Sequence, residues 1–313
     1  MDKVQKINVL AHDSGLRLAR YFKRYFPHIP HSLLEKWCRK GNIRLDGKRI
    51  KPSVVLEEGQ EIRLPPFPEQ RLPHPASYTL TNADKTLLRQ SLLYEDEMVL
   101  VLNKPQGLAT QGGTSLYKHL DGLLRAFYQD HSTIHPHLVH RLDKDTTGIL
   151  IVAKSTYAAQ WLTQAFQTKT IRKIYWAVTV GIPTSLEGVI DLSLEKSREG
   201  FLEKVRLYED GKKALTYYHV RAQTKSGLCW LELEPKTGRT HQLRVHCQAI
   251  GCPIVGDGKY GGSKAHPFAQ RSSLHLHARS VEIPYPDGSI KKLEAPLPAH
   301  MQETFQKLGF AWD

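Results

Sequence analysis

Four consecutive apolar residues, Ile149, Leu150, Ile151 and Val152, follow Gly148 and form a run with the length and composition of a short buried strand. Burying that strand places the polar stretch before it, His140 to Thr147, in a loop at the mouth of a sheet. By the same reading Met98–Leu102 and Ile174–Gly181 are strands, with others at 214–222, 228–233 and 274–276. Alternation assigns their faces: Leu231 and Leu233 oppose Glu232 and Glu234, and Tyr175 points away from Trp176. Residues 182–214, rich in Gly, Lys and Glu, read as hairpins. Helical spacing covers 116–128 and the amphipathic set Tyr157, Ala158, Trp161, Leu162, Ala165 and Phe166. Thr240 stands where it can cap a helix whose early turns carry His241, Gln242 and Arg244. Beyond Ala278 the pattern is one of Pro-rich turns, ending near Phe310–Trp312.

The front of the chain has a pattern of its own. Leu18, Ala19, Phe22, Tyr25 and Phe26 share one helix face, and Pro27 ends that helix. Ser32 with Glu35 predicts a capping box for a second helix that buries Leu33, Leu34, Trp37 and Cys38, closed by Gly41. Residues 43–50 alternate around Asp46-Gly47, the pair that favours a tight hairpin. Five prolines then fall between 65 and 75, and apolar periodicity does not resume before Leu87. Three parts follow: a small module over 1–66, an extended Pro-rich linker over 67–88 with Thr79–Thr86 expected to be poorly ordered, and a large domain over 89–313.

Charge sharpens this division. The chain carries +13 in 313 residues, and 14 Lys and Arg against 7 Asp and Glu lie before residue 67. So basic a protein suits a polyanionic partner, nucleic acid first, because contacts to phosphates release counterions. Arg39, Lys40, Arg44, Lys48, Arg49 and Lys51 cluster within 13 residues and form a candidate phosphate-contacting patch. No apolar run reaches the length of a membrane span and no secretory-type leader precedes the module, so a cytoplasmic protein is expected. Cys38, Cys229, Cys247 and Cys252 lack paired metal-ligand spacing. His131, His135, His137 and His140 lack a completing carboxylate or thiol, with Pro136 between them, so no metal site is expected.

Candidate chemistry centres on Asp143, set between the cations Arg141 and Lys144 on a loop whose far end is anchored. The residues alone leave Asp143 open between a turn residue, half of a surface ion pair, and a reactive carboxylate. The run His140-Arg141-Leu142-Asp143-Lys144, continued by Thr146-Thr147-Gly148, resembles the signature of the RluA/RluC-type pseudouridine synthases. Three further stretches match family segments: Asn103-Lys104-Pro105-Gln106-Gly107, Lys173-x-Tyr175-x-Ala177 and Gly238-Arg239-Thr240-His241-Gln242-Leu243-Arg244. Residues 41–48 are similar to a small RNA-binding module named after a ribosomal small-subunit protein. Thr147 stands where serine is common in the signature, and Cys252 where histidine is frequent.

The resemblance implies an α+β protein: a catalytic domain with a mixed, largely antiparallel sheet and flanking helices, preceded by a small α/β RNA-binding module. It implies isomerisation of uridines in bacterial large-subunit ribosomal RNA, without a cofactor, by a chain expected to be a monomer. Asp143 is the implied nucleophile, Tyr175 the residue that stacks on the target base, and Arg244 the partner of Asp143 in an expected bidentate pair. Arg141, His140, Lys104, Arg239, His241 and Gln242 are expected to border the substrate. Charge and front module would equally suit a noncatalytic RNA-binding protein. A nuclease fits less well, since no paired-carboxylate metal cluster is present.

Overall fold

The computed structural model describes residues 5–10, 13–26, 29–66, 80–112, 118–128, 134–199, 202–268 and 272–312. They divide into two compact units, Met1–Thr79 and Leu80–Asp313.

The first unit sets two helices, α1 (Leu18–Tyr25) and α2 (His31–Lys40), beside a four-stranded antiparallel sheet. Its strands are β1 (Gln5–Asn8), β2 (Arg44–Leu45), β3 (Lys48–Arg49) and β4 (Glu61–Leu64), in the order β1-β4-β2-β3. Leu18 and Phe22 of α1 and Leu34 and Cys38 of α2 pack on Ile43, Leu56, Ile62 and Leu64. Asp46 and Gly47 both have positive φ, 48° and 76°, as a hairpin twisted to match its strands requires. The expected capping box at Ser32 does not form. Pro30, with φ −60°, already sets the entry geometry, so α2 starts at His31 and Ser32 lies exposed within its first turn. Gly41 closes α2 in the left-handed conformation, as its position predicted.

The second unit is built on one sheet of eleven strands. In chain order its elements are α3 (Asn82–Ser91), β5 (Leu92–Glu95), β6 (Val99–Lys104), α4 (Leu120–Phe127), β7 (His137–Leu138), β8 (Thr147–Ala153), α5 (Thr156–Gln167) and β9 (Arg172–Val180). There follow β10 (Glu187–Glu199), β11 (Leu202–Leu207), β12 (Lys212–Gln223), β13 (Leu228–Pro235), α6 (Gln242–Ala249), β14 (Leu276–Pro284), β15 (Ile290–Glu294) and α7 (Ala299–Leu308). The order is β11-β10-β12-β13-β9-β14-β8-β6-β5, with β15 on β14 and β7 on β8. Only β14 and β8 run parallel. This is the mixed, largely antiparallel α+β arrangement expected.

Three elements depart from the sequence reading. The end of the supposed linker is helical: Thr81 and Asp84 form a reciprocal capping box, and Leu88 is buried on the inner face of α3. Strand β14 runs to Pro284 rather than ending at Leu276, because Val281 and Ile283 are buried between polar residues that pair with β15. Helix α7 was not foreseen. It buries Met301, Thr304 and Phe305, and the Phe305 ring lies 4.9 Å from that of Trp230. Among the described residues no helix is long and apolar enough to cross a membrane.

The parallel contact of β8 with β14 is only two residue pairs long, His277 with Thr147 and Ala278 with Gly148. Gly148 makes it possible: at φ 102° a Cβ would stand 2.3 Å from the Ala278 carbonyl oxygen and 2.7 Å from its nitrogen. Gly107, in the turn after β6, has φ 77° but open space where a Cβ would be. Gly148→Ala should therefore cost about 3 kcal/mol or more, backbone strain plus overpacking, and Gly107→Ala about 1–2 kcal/mol, strain alone. Urea unfolding of the two variants checks this ordering; equal losses would contradict it.

Candidate active site

Gly148, Ala278 and Tyr175 lie in one row across β8, β14 and β9, and Leu233 of β13 extends the row. Loops from β8 and β13 converge over this row and enclose a cleft of about 560 Å³. Its wall includes His140, Arg141, Asp143, Tyr175, Arg239, His241 and Arg244. Two segments about 100 residues apart in sequence thus meet.

The loop carrying Asp143 is pinned from below. Thr110 Oγ1 donates to the Leu142 carbonyl at 2.7 Å and accepts the Leu142 amide at 3.2 Å. Lys104 is fully buried, and its ammonium donates to the carbonyls of Pro105, Leu108 and Lys144 at 2.9, 2.9 and 3.0 Å. Burial pushes that ammonium down to about 8, opposed by the charges of Asp145 and Asp143. Lys104 therefore ties the 105–108 turn to the signature loop and does not face the cleft, which corrects its expected role at the substrate. A three-carbonyl cage fully occupies an ammonium with three donors.

The Asp143 carboxylate itself accepts no hydrogen bond from a described side chain. His241 Nε2 lies 3.8 Å and Arg244 Nη1 3.9 Å from Oδ2. The bidentate pair expected between Arg244 and Asp143 is made instead with Asp257: Nε to Oδ2 at 2.8 Å and Nη2 to Oδ1 at 2.7 Å, both groups buried. Asp257 is in turn fastened by the amides of Lys259 and Tyr260, each 3.2 Å from Oδ1. Arg244 so held turns its remaining nitrogen toward Asp143.

His241 has φ 52°, a left-handed conformation unusual for a residue with a Cβ. It is the residue before α6 rather than inside it, and the expected Thr240 cap does not form. No side chain caps α6, and Gln242, its first residue, is buried. Its Oε1 accepts from Thr237 Oγ1 and the Arg239 amide at 2.7 and 3.0 Å, and its Nε2 donates to Leu215 O and Thr216 Oγ1 at 3.0 Å each. Gln242 lines the cleft, with its amide already saturated by the 237–239 loop and β12 that it holds together. His241 Nδ1 lies 2.6 Å from the Tyr260 hydroxyl, which also accepts the Val205 amide at 3.1 Å. Burial holds the imidazole below its usual range, so it is neutral at pH 7. A neutral ring that accepts the phenol hydrogen at Nδ1 carries its own at Nε2, the nitrogen facing Asp143.

Tyr175 lines the cleft on β9, and no described residue hydrogen-bonds its hydroxyl. Burial and the charge of Asp143 push its phenol well above the usual range, so it stays protonated. His140 lines the wall but accepts the Ile151 amide through Nε2 at 2.8 Å, extending the ladder of β8 beyond β7. Burial takes its ring down to about 3, so it is a neutral structural acceptor. Arg141 is exposed at the rim, as is Arg239, whose Nε donates to the Lys213 carbonyl at 3.1 Å. The Thr147 hydroxyl meets His277 Nδ1 at 2.8 Å, so threonine supplies here what serine would. Sequence reasoning missed the parts played by Asp257 and Tyr260. An aspartate right after the apolar Pro253-Ile254-Val255-Gly256 run was the available sign for the first; Tyr260 offered none. In the first unit Arg39, Lys40, Lys48, Arg49 and Lys51 are exposed, whereas Arg44 is half-buried and donates to the Gly41 and Gly47 carbonyls. No group of three or more potential metal ligands occurs among the described residues.

Residues 98–249 match the RNA pseudouridylate synthase family, and these residues hold the whole cleft apart from Leu276. The chain is 36% identical to the ribosomal large subunit pseudouridine synthase C of Rickettsia bellii, over 91% of this chain and 95% of that one. It therefore belongs to the RNA pseudouridine synthases, isomerases that act on RNA. It is 33% identical to the protein of the same name from Vibrio cholerae, over 98% and 97% of the two chains. Among solved structures, human RNA pseudouridylate synthase domain containing 4 covers 72% of this chain at 30% identity, with a TM-score of 0.58 and 95% of its own length aligned.

Two outcomes follow from the packing. Asp257→Ala strands the buried Arg244 charge and should lower the unfolding free energy by about 3–5 kcal/mol, measured in urea; a loss below about 1 kcal/mol would show the pair to be dispensable. Burial also lowers His246, His275 and His277 to about 4 and His140 to about 3. Between these values and the ordinary histidine range the unfolded chain binds more protons than the folded one, so stability rises with pH and is lost as pH falls through that window. Unfolding followed from pH 7 down to 4 should show the loss steepening, and His277→Asn should make it shallower.

Proposed function

We propose that this protein converts specific uridines of large-subunit ribosomal RNA to pseudouridine, with Asp143 as the nucleophile. The carrying observation is a carboxylate in a 560 Å³ cleft, approached by the His241 imidazole at 3.8 Å and the Arg244 guanidinium at 3.9 Å yet hydrogen-bonded to neither. The names of the Rickettsia and Vibrio relatives support the choice of RNA.

In the reaction the bond from ribose C1′ to uracil N1 breaks, the base turns, and C1′ joins C5; the C5 proton leaves and N1 gains one. The target nucleotide must leave its stack to reach the cleft, at a cost of a few kcal/mol offset by phosphate contacts. Arg244 and the Nε2 hydrogen of His241 hold the Asp143 charge in place without saturating it. Tyr175 stacks on the uracil, and Arg141, free at the rim, fills the gap in the stack. Arg39, Lys40, Arg44, Lys48, Arg49 and Lys51 of the first unit grip the RNA backbone. A cytoplasmic monomer suits this reading, since one chain supplies every group of the cleft.

Asp143→Asn should abolish pseudouridine formation on an unmodified large-subunit RNA transcript and leave binding within a few-fold; a folded variant with substantial turnover would remove the nucleophile. Tyr175→Phe should lose most of the rate if the hydroxyl takes part in proton transfer, and near wild-type turnover would confine Tyr175 to stacking.

A further inference from the structure

Beside the cleft lies a smaller cavity of about 190 Å³, lined by Lys169, Ile171, Arg172, Lys173, Glu234, Pro235 and Lys236. Lys169, Lys173, Pro235 and Lys236 line both spaces, so the two adjoin. The cleft has the capacity of a pocket for a small molecule, about 300–1,000 Å³; the annex falls below it and suits one charged group rather than a whole nucleotide.

We propose that this annex binds a backbone phosphodiester of the RNA next to the nucleotide held in the cleft. Four cations line it against one carboxylate, and that carboxylate is already taken. Glu234 pairs with Lys236, and with Arg172 at 3.4 Å. Arg172 is shared further with Glu282 at 3.6 Å. Lys173 is left over. It is half-buried, its ammonium lies 5.4 Å from the centre of the Phe166 ring, and no described carboxylate or hydrogen-bond acceptor meets it. Burial and the neighbouring charge of Lys236 lower it, with only Glu234 opposing. Lys173 is thus held in a partly desolvated recess beside Lys236, whose charge Glu234 already balances, and an anion bound there would supply the counter-charge that Lys173 lacks.

Lys169 adds a second sign. It follows the end of α5 with φ 60°, a conformation at which glycine is the ordinary choice after a helix. The chain accepts that strain and places an exposed lysine at the mouth shared by both cavities. The annex is distinct from the basic patch of the first unit, and it rests on the reading of the cleft as the seat of the target nucleotide.

The test is equilibrium binding of the full-length protein to an unmodified large-subunit RNA transcript over a range of KCl, in an Asp143→Asn background. Lys173→Met and Lys236→Met should each weaken binding about fivefold or more at low salt. Each should also reduce the slope of log affinity against log salt by roughly 0.7–0.9, the loss of one phosphate contact. Lys173→Arg should restore the slope. Because Lys173→Met removes a desolvated, unpaired charge, its melting temperature without RNA should equal or exceed that of the parent. An unchanged slope in both Met variants, or a lower melting temperature for Lys173→Met with unchanged affinity, would overturn the proposal. Turnover by the Asp143→Asn parent would instead count against the nucleophile, and the slopes would still report on the annex.

Discussion

Arg244 can engage one carboxylate through two parallel hydrogen bonds, and the fold gives that place to Asp257. The rest of the cleft depends on this commitment. A guanidinium locked into Asp143 in the same way would occupy the lone pairs that a nucleophile needs and draw down its charge. Buried against Asp257, itself tied to two backbone amides, Arg244 acts as a fixed positive charge at a distance. Breaking such a pair leaves an uncompensated buried ion, so geometry and stability are coupled at one point. His241 is held from the other side by Tyr260, at the expense of a strained backbone, which is where such strain tends to be kept.

Much of the frame was legible because burial writes strongly into composition. The apolar runs at 98–102, 149–152 and 174–180 became β6, β8 and β9, since strands covered on both faces tolerate few polar residues. What escaped was structure whose buried groups look polar in a sequence. Strand β14 contains His277, Arg279, Ser280 and Glu282, yet Leu276–Ala278, Val281 and Ile283 are buried; His277 is accommodated as a neutral ring between Thr147 and the Ala295 carbonyl. Helix α3 hid behind a proline-rich approach, and α7 lay in a tail without an obvious start.

At the site, motifs named which residues gather and not what each one touches. Asp143, Tyr175, His241 and Arg244 do line one cavity. Lys104, from the 103–107 segment, turned inward into a cage of carbonyls, and Gln242 lines the cleft with its amide spent on the loop it supports. Pattern cannot separate a side chain that meets substrate from one that holds the meeting place, because both are indispensable to the same geometry. Two acids compete for Arg244, and only their positions in space decide which of them receives it.

The place of β14 in the sheet carries a consequence for how the protein is made. It lies between β8 and β9, which follow one another as strands in the chain but do not pair. During synthesis the ribosome releases both earlier strands with their facing edges bare, and the filler is about 100 residues further on. At translation speeds of about 5–20 residues per second that interval lasts roughly 5–20 seconds. Unpaired strand edges are templates for pairing with other chains. The nascent enzyme therefore passes through a sticky, half-built state, and cannot close the sheet beneath its cleft until Leu276–Pro284 has been translated.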